Sequence, residues 1–328
     1  MTRVSVLDTS PIVAGASPAD ALRNSVDLAR CCDGLGFHRY WVAEHHGMRG
    51  VASAVPSITL TRAAAVTTSI RLGAGGVMLP NHPALHVAEQ YGMLECLFPG
   101  RIDLALGRSA GGTEASVAAL RPDWREARGD QPFRAQLDEL EALFKPGAPG
   151  GVRAIPAEGR RPSVWMLGSS EYSAWVAAQR GLPYAFANHL NPDKTENALT
   201  IYRANFAPSP QLERPHCLVS ASVIVGESDE HAEWLAGSTR MKVISRAHKR
   251  PIKLPSPEEA AEYSYTPEDR ELVATSSRSV YSGSLESMRV ALGRLVARSG
   301  VDEVMVASPI YHHKDRVRSY ELVRDALA

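Results

Sequence analysis

The sequence predicts an α/β fold, a single (β/α)8 TIM-barrel domain over residues 1–328, and three observations carry that prediction. Short apolar runs alternate with longer amphipathic stretches eight times along one chain, the rhythm of parallel strands joined by crossover helices. The runs are continuously apolar, as strands covered on both faces require. An open doubly wound sheet, the runner-up, usually carries a glycine-rich turn after its first strand. Here that turn reads Asp8-Thr9-Ser10-Pro11, which does not fit.

The elements follow in order. VSVL (4–7) is the first strand. Ser17-Pro18-Ala19-Asp20 opens the first helix: Ser17 suits the cap, Pro18 the first turn, and Asp20 the positive end of the dipole. Gly36 stops it. The second strand lies at 40–43 and the second helix at 56–68. The third strand region covers 71–79, with a helix at 84–97. Strand four is IDLAL (102–106), followed by a helix at 133–144. Strand five (164–167) precedes a helix at 171–179, strand six (184–187) one at 194–206, and strand seven (217–225) one opening at 229. A helix at 285–298, strand eight at 304–307 and a last helix at 317–327 complete the ring.

Thirty-six basic and 36 acidic residues cancel, so bulk charge gives no reason to expect nucleic acid or an anionic membrane as partner. No run of about 18 apolar residues exists to span a bilayer. The N-terminus lacks a signal peptide's apolar core, which makes the cytoplasm the expected location. Cys31, Cys32, Cys96 and Cys217 form no CxxC pair and read as small buried hydrophobes, with no metal site expected. Only six of the 36 basic residues are lysine, an arginine-rich style compatible with a GC-rich genome and a natural-product tailoring step.

Two segments break the rhythm, residues 109–131 after strand four and 246–284 after strand seven. Insertions this long read as lids over the C-terminal rim, where barrel chemistry sits. That rim gathers Asp8 and Ser10 from strand one, Glu44, His45 and His46 from strand two, and Gly75, Gly76, Asn81 and His82 from strand three. Strand four adds Gly107 and Arg108, strand five Gly168, Ser169 and Ser170, strand six Asn188 and His189, and strand eight Ser308. RYWVAEHH is apolar until it ends in a carboxylate and two imidazoles, groups costly to bury without partners; a strand ending so faces a pocket. LGSSEYSAW (167–175) places small residues and hydroxyls at a helix start, where backbone N–H groups cradle phosphate, and Arg108 offers a bidentate contact. Taken alone, LGSS reads more readily as an ordinary serine-capped helix than as a phosphate cradle. Gly75-Gly76 at a strand end permits close approach of backbone to a flat ligand, or makes a plain turn. Together they point to a planar phosphorylated cofactor.

SVLDTSPI, RYWVAEHH, LGAGGVMLPNHPALHVAEQYGMLECLFPGRIDLALGR, VWMLGSSEYSAWVAAQRGLPYAFANH and EVMVASPIYHHKDRVRSYELV occur in order at barrel spacing. In these motifs the chain resembles the bacterial luciferase-like family of flavin-dependent monooxygenases, in its short single-type-chain branch. The resemblance implies an FMN site: the isoalloxazine against Gly75-Gly76, where relatives often have a non-proline cis peptide, and the phosphate on Ser169, Ser170, Ser173 and Arg108, with help from Tyr172. Asp8 and Gly168 are counted with the cofactor-binding residues. His45 matches the family's active-site histidine in EHH, and Glu44 orients a neighbour. Gly107 stands where luciferase itself has a reactive cysteine, which makes light emission doubtful.

The reaction so implied uses reduced FMN (FMNH2), dioxygen and a small organic substrate. With no second nucleotide-binding domain in view, a separate NAD(P)H:flavin reductase is expected to supply the flavin. His45 suits acid/base work because imidazole titrates near neutrality. Adjacent strand residues face opposite ways, so His45 and His46 cannot both aim at one atom. The substrate pocket is expected to be apolar, lined by lid residues Tyr263, Tyr265 and Trp124. A homodimer is expected through the second and third helices, where Ala63-Ala64-Ala65 permits close packing. Three rival readings are an F420-dependent oxidoreductase of the same fold, a metal-dependent hydrolase using His45, His82, His86 and Glu44, and a flavin-storage protein without turnover.

Overall fold

In a computed structural model the chain is described over residues 2–327, apart from 110, 124, 127, 128, 148 and 277–279. The strands are β1 (Arg3–Asp8), β2 (Arg39–Val42), β3 (Arg71–Met78), β4 (Ile102–Gly107), β5 (Ser163–Gly168), β6 (Tyr184–Phe186), β7 (Cys217–Val225), β8 (Val280–Gly283) and β9 (Glu303–Ala307). All pairings are parallel. Eight strands close a ring, β1 to β7 in sequence and then β9, which returns to β1. The expected barrel is therefore present, with β9 as its eighth wall strand. β8 pairs with β7 alone and stays outside the ring. Ser222 of β7 pairs with Ala307 on one side and Val280 on the other. β8 thus occupies the β7 edge that three-residue β6 leaves free toward the C-terminal rim.

The helices are α1 (Pro18–Gly34), α2 (Pro56–Ala64), α3 (Ala84–Leu97), α4 (Glu114–Leu120), α5 (Asp130–Leu143), α6 (Glu171–Gln179), α7 (Thr195–Ala204), α8 (Asp229–Ala247), α9 (Pro257–Glu262), α10 (Pro267–Ser276), α11 (Leu285–Ser299) and α12 (His313–Ala326). α1 begins as its sequence dictates, with Pro18 in the first turn and a reciprocal Ser17–Asp20 capping box. Among the described residues no helix is long and apolar enough to cross a membrane.

Strand alternation divides the core into two layers. Val4, Val6, Tyr40, Val42, Leu72 and Leu104 face the helices, whereas Leu7, Trp41, Ala105, Trp165, Leu218 and Met305 fill the barrel. Below this inner layer, charges plug the floor. Arg39 bridges Asp103 at 2.7 Å and Glu303 at 3.1 Å and lies over the Trp165 ring, while Trp41 Nε1 donates to Asp103. Each buried ion has an opposite charge and hydrogen bonds, the condition for tolerating it there.

Both insertions sit on the C-terminal rim. His46 N–H donates to the Gly111 carbonyl, and His46 bridges Gly112, so the first insertion leans on the loop after β2. Leu254 and Ile12–Ala14 exchange backbone bonds at 3.0 and 2.7 Å, lashing the second to the loop after β1. The inserts hold more structure than their sequences announce. α8 continues to Ala247 because Gly237, Ser238 and Thr239 interrupt its apolar period without breaking it. β8 is only VYSG, too short and polar to register as an apolar run. Ala63 and Ala64, expected at a dimer contact, are buried against the barrel, while Ala65 is exposed.

Candidate active site at the barrel mouth

A closed parallel ring brings all strand C-termini to one rim, so the EHH segment, the Gly75-Gly76 stretch and the LGSS turn open on the same mouth. Past the end of β2 the backbone sends neighbouring side chains apart. The Glu44 carboxylate is buried and accepts from His46 Nε2 at 2.9 Å, His82 Nε2 at 2.8 Å and the Met78 N–H at 3.2 Å. Burial alone would raise its pKa; the His46 and His82 hydrogen bonds outweigh that and bring it to about 2. An ionised carboxylate only accepts, so both imidazoles present an Nε2 proton to it. The three ligand atoms lie within 4.8 Å of one another, a spacing a divalent ion would also accept. The hydrolase set is not assembled: His45 turns elsewhere, and exposed His86 bonds the Gln90 side chain.

His45 leans toward the barrel axis. It follows the inward parity of Trp41 and Ala43, and β2 stands opposite β6, the strand that leads to His189. Both imidazoles lie just past the C-terminal ends of their strands, at the mouth. Burial holds the His45 pKa below 6.5; the Glu44 charge opposes this, and Lys242, Arg246 and His46 reinforce it. Its Nδ1 is buried without a hydrogen-bond partner among the described residues. His189 Nδ1 bonds Ser220 Oγ at 2.6 Å, and burial, helped by His45, lowers its pKa to about 4.

Gly75-Gly76 is no turn. It lies within β3, at a register shift against β4, and its peptide bond is cis. A Cβ on Gly75 would meet Leu7 and Trp41 at 2.9 Å, and one on Gly76 the Ala105 carbonyl at 2.6 Å. The barrel interior therefore already requires glycine at both positions, whatever lies above them.

Ser170 caps α6, its Oγ accepting from the Ser173 N–H. Ser173 Oγ is committed to the Ser170 carbonyl at 2.7 Å and the Tyr184 hydroxyl at 3.0 Å. Its side chain also fills the space a Cβ on Gly168 would need. The Ser173 side chain is thus a brace of the turn, and the donors the turn presents are the Ser169 hydroxyl, the Ser170 hydroxyl beside Ser173 Oγ, and the first N–H groups of α6. Arg108 stands beside them, 4.2 Å over the Tyr172 ring and paired with Asp130, whose carbonyl accepts from Tyr172. Hydroxyls, helix-start N–H groups and an exposed guanidinium fit a phosphate, and the adjoining Gly75-Gly76 backbone suits a flat ring.

Asp8 corrects the sequence reading. It shares the outward parity of Val4 and Val6, is fully buried, and accepts from Arg316 at 2.6 Å, the Tyr40 hydroxyl and the Ser10 N–H. It anchors β1 to α12 and is turned away from the mouth. Ser308 is buried too, bonded to the Val223 carbonyl. Tyr263 and Tyr265 pack edge to face on each other, and the Tyr263 hydroxyl bonds Asp269, so they hold the lid together. Trp124 lies outside the described residues. Lys242, which the sequence did not single out, projects from α8 and donates to the Gly50 carbonyl at 3.4 Å. Burial and neighbouring Arg246 hold it below the usual lysine range.

A family model described as luciferase-like monooxygenase matches residues 2–302. A luciferase-like monooxygenase of Escherichia coli (strain K12) is 41% identical over 323 residues, covering 98% of this chain and 96% of the relative. The N-acetyl-S-alkylcysteine monooxygenase of Bacillus subtilis (strain 168) is 30% identical over 335 residues, covering 100% and 98%. The crystal structure of apo-MsnO8 superposes with a TM-score of 0.90 at 33% identity, covering 100% and 98%. Two more distant structures share the fold alone. The oxygenating constituent of 3,6-diketocamphane monooxygenase from Pseudomonas putida, in complex with FMN, has a TM-score of 0.74 at 17% identity. An F420-dependent secondary alcohol dehydrogenase in complex with an F420-acetone adduct has 0.70 at 14%. From its first strand to its last, this chain belongs to the luciferase-like monooxygenase family.

Proposed function

We propose that the protein is the oxygenase of a two-component system, taking reduced FMN from a separate NAD(P)H:flavin reductase and transferring one oxygen atom of O2 to a small organic substrate. The observation that carries this reading is the meeting of His45, the Gly75-Gly76 backbone and the Ser169–Ser170–Arg108 cradle on one mouth. A relative that is an N-acetyl-S-alkylcysteine monooxygenase and a fold neighbour described as an oxygenating constituent support it. Bound reduced FMN supplies the electrons that activate dioxygen.

The chain's own residues supply the rest. Ser169, Ser170 and Arg108 hold the phosphate, Tyr172 backs the Arg108 guanidinium, and Gly168 and Ser173 shape the turn. The Gly75-Gly76 backbone offers a flat wall to the ring. His45, neutral at pH 7 and with an unpartnered Nδ1, accepts or returns a proton at the mouth. Glu44 fixes His46 and His82 and is a positioning residue. The two insertions keep water from the reacting groups. Two copies pair through α2 and α3, which present large apolar side chains to solvent: Ile58 is 70%, Leu97 61% and Met93 53% exposed.

Titration with FMN and photoreduced FMN, followed by oxygen uptake with a flavin reductase and NADH, tests the reading. Flavin binding with reductase-dependent oxygen consumption is expected; hydride transfer to F420 without oxygen uptake would replace it. The F420 reading retains a claim through the same barrel in an F420-dependent dehydrogenase.

A further inference from the structure

Among the described residues, Lys242 is an ammonium without a carboxylate in ion-pair contact. It lies half-buried on α8, reaching over the loop that follows the EHH segment, and its one hydrogen bond is to the Gly50 carbonyl. Among the described residues neither Lys242 nor its neighbour Arg246 takes part in an ion pair. The two fully buried cations of the fold each have one, Arg39 with Asp103 and Glu303 and Arg316 with Asp8; half-buried Lys253, like Lys242, rests on a backbone carbonyl, that of Ala16. A cation withdrawn from water without a counter-charge is unfavourable unless something brings the charge later. His45 and His189 follow strands that stand opposite each other in the ring, and the Glu44 carboxylate is committed to His46 and His82.

We propose that Lys242 and Arg246 form an anion subsite at the mouth that takes the carboxylate of the organic substrate and holds the rest of the molecule against His45. A monoanion suits the place. Both residues lie in the last two turns of α8, which ends at Ala247, where the helix carbonyls carry partial negative charge and disfavour a dianion. The phosphate-type donors, by contrast, gather at the start of α6 beyond β5, on another part of the rim. One mouth thus offers two separate anion sites, one per partner. The inference rests on the oxygenase reading for the reaction but not for the binding.

The test uses calorimetry on the full-length protein loaded with FMN and two matched probe pairs, octanoate with octanamide and benzoate with benzamide. At least one acid is expected to bind about tenfold tighter than its amide, the worth of one charge-assisted hydrogen bond. Lys242→Met should erase that preference, Lys242→Arg should keep it, and exposed Arg246→Gln, which cannot disturb the core, should weaken it. Equal binding of acid and amide, no acid binding at all, or a preference that survives Lys242→Met overturns the proposal. So does a Lys242→Met protein that loses FMN affinity, because the ammonium would then serve the cofactor. Failure of the wild-type protein to bind FMN would instead strike the oxygenase reading, and acid against amide can still be compared in that protein.

Discussion

Arg108 has two claims on its guanidinium, the Asp130 carboxylate it holds now and the phosphate it is expected to hold. Arg108→Ala should weaken FMN binding about tenfold or more, since a charge-assisted contact at an exposed site is lost. Asp130→Asn should act oppositely and tighten it by about twofold, the scale of an exposed ion pair. Fluorescence titration of FMN measures both; a shift in the same direction for the two variants would remove Arg108 from the cradle. At His45 the expectation concerns pH. Burial lowers its pKa, so the neutral form persists below 6.5, and the acid limb of kcat/KM should lie under that value. His45→Ala should cut kcat by about a hundredfold while leaving FMN affinity intact, the usual scale for a lost acid/base group. An acid limb that stays in place in His45→Ala would assign the proton to another group.

At the scale of elements, β1 shows what sequence reading reaches and where it stops. Its existence and ends are written in VSVL, but the direction of Asp8 is fixed by alternation from Val4 and Val6 together with a partner 308 residues away, Arg316. Asp8→Asn should therefore leave FMN affinity unchanged and cost about 3 kcal/mol of stability by stranding a buried guanidinium, read from urea midpoints. The barrel was legible because each wall strand is an apolar run between good helix signals, and the LGSS and EHH ends were legible because polar groups interrupt those runs. β8 and the lid helices were not, since VYSG has no period and α9 and α10 are held by capping and by Asp269 contacts within the lid. Lys242 escaped notice for a related reason: nothing in MKVISRA marks which helix face lies over the mouth, and only the path of α8 decides it.

For the whole molecule, acid should act in two stages. His38 and His189, each lowered to about 4 chiefly by burial, take up protons more readily unfolded, so stability falls as pH drops from 6.5 toward 4. Glu44 and Glu303, each held at about 2 against burial by hydrogen bonds and, for Glu303, by Arg39, favour the fold above 4.5 and lose that contribution as pH falls toward 2. Denaturation midpoints across pH 8 to 3 should show both declines; a flat profile down to pH 5 would contradict the first. Assembly has its own test: Ile58→Glu with Leu97→Glu should convert a dimer to monomers by light scattering, while a mass unchanged by the two charges would rule out the α2–α3 contact. The seating of β8 on the spare edge of β7 bears on entry to the interior. With Leu254 tied to the first loop and Val280–Gly283 zipped onto the outer edge of β7, the arch between them is moored at both piers. Its span, α9 and α10, sets the aperture, so shortening that span should admit bulkier molecules while the masonry beneath keeps its melting temperature.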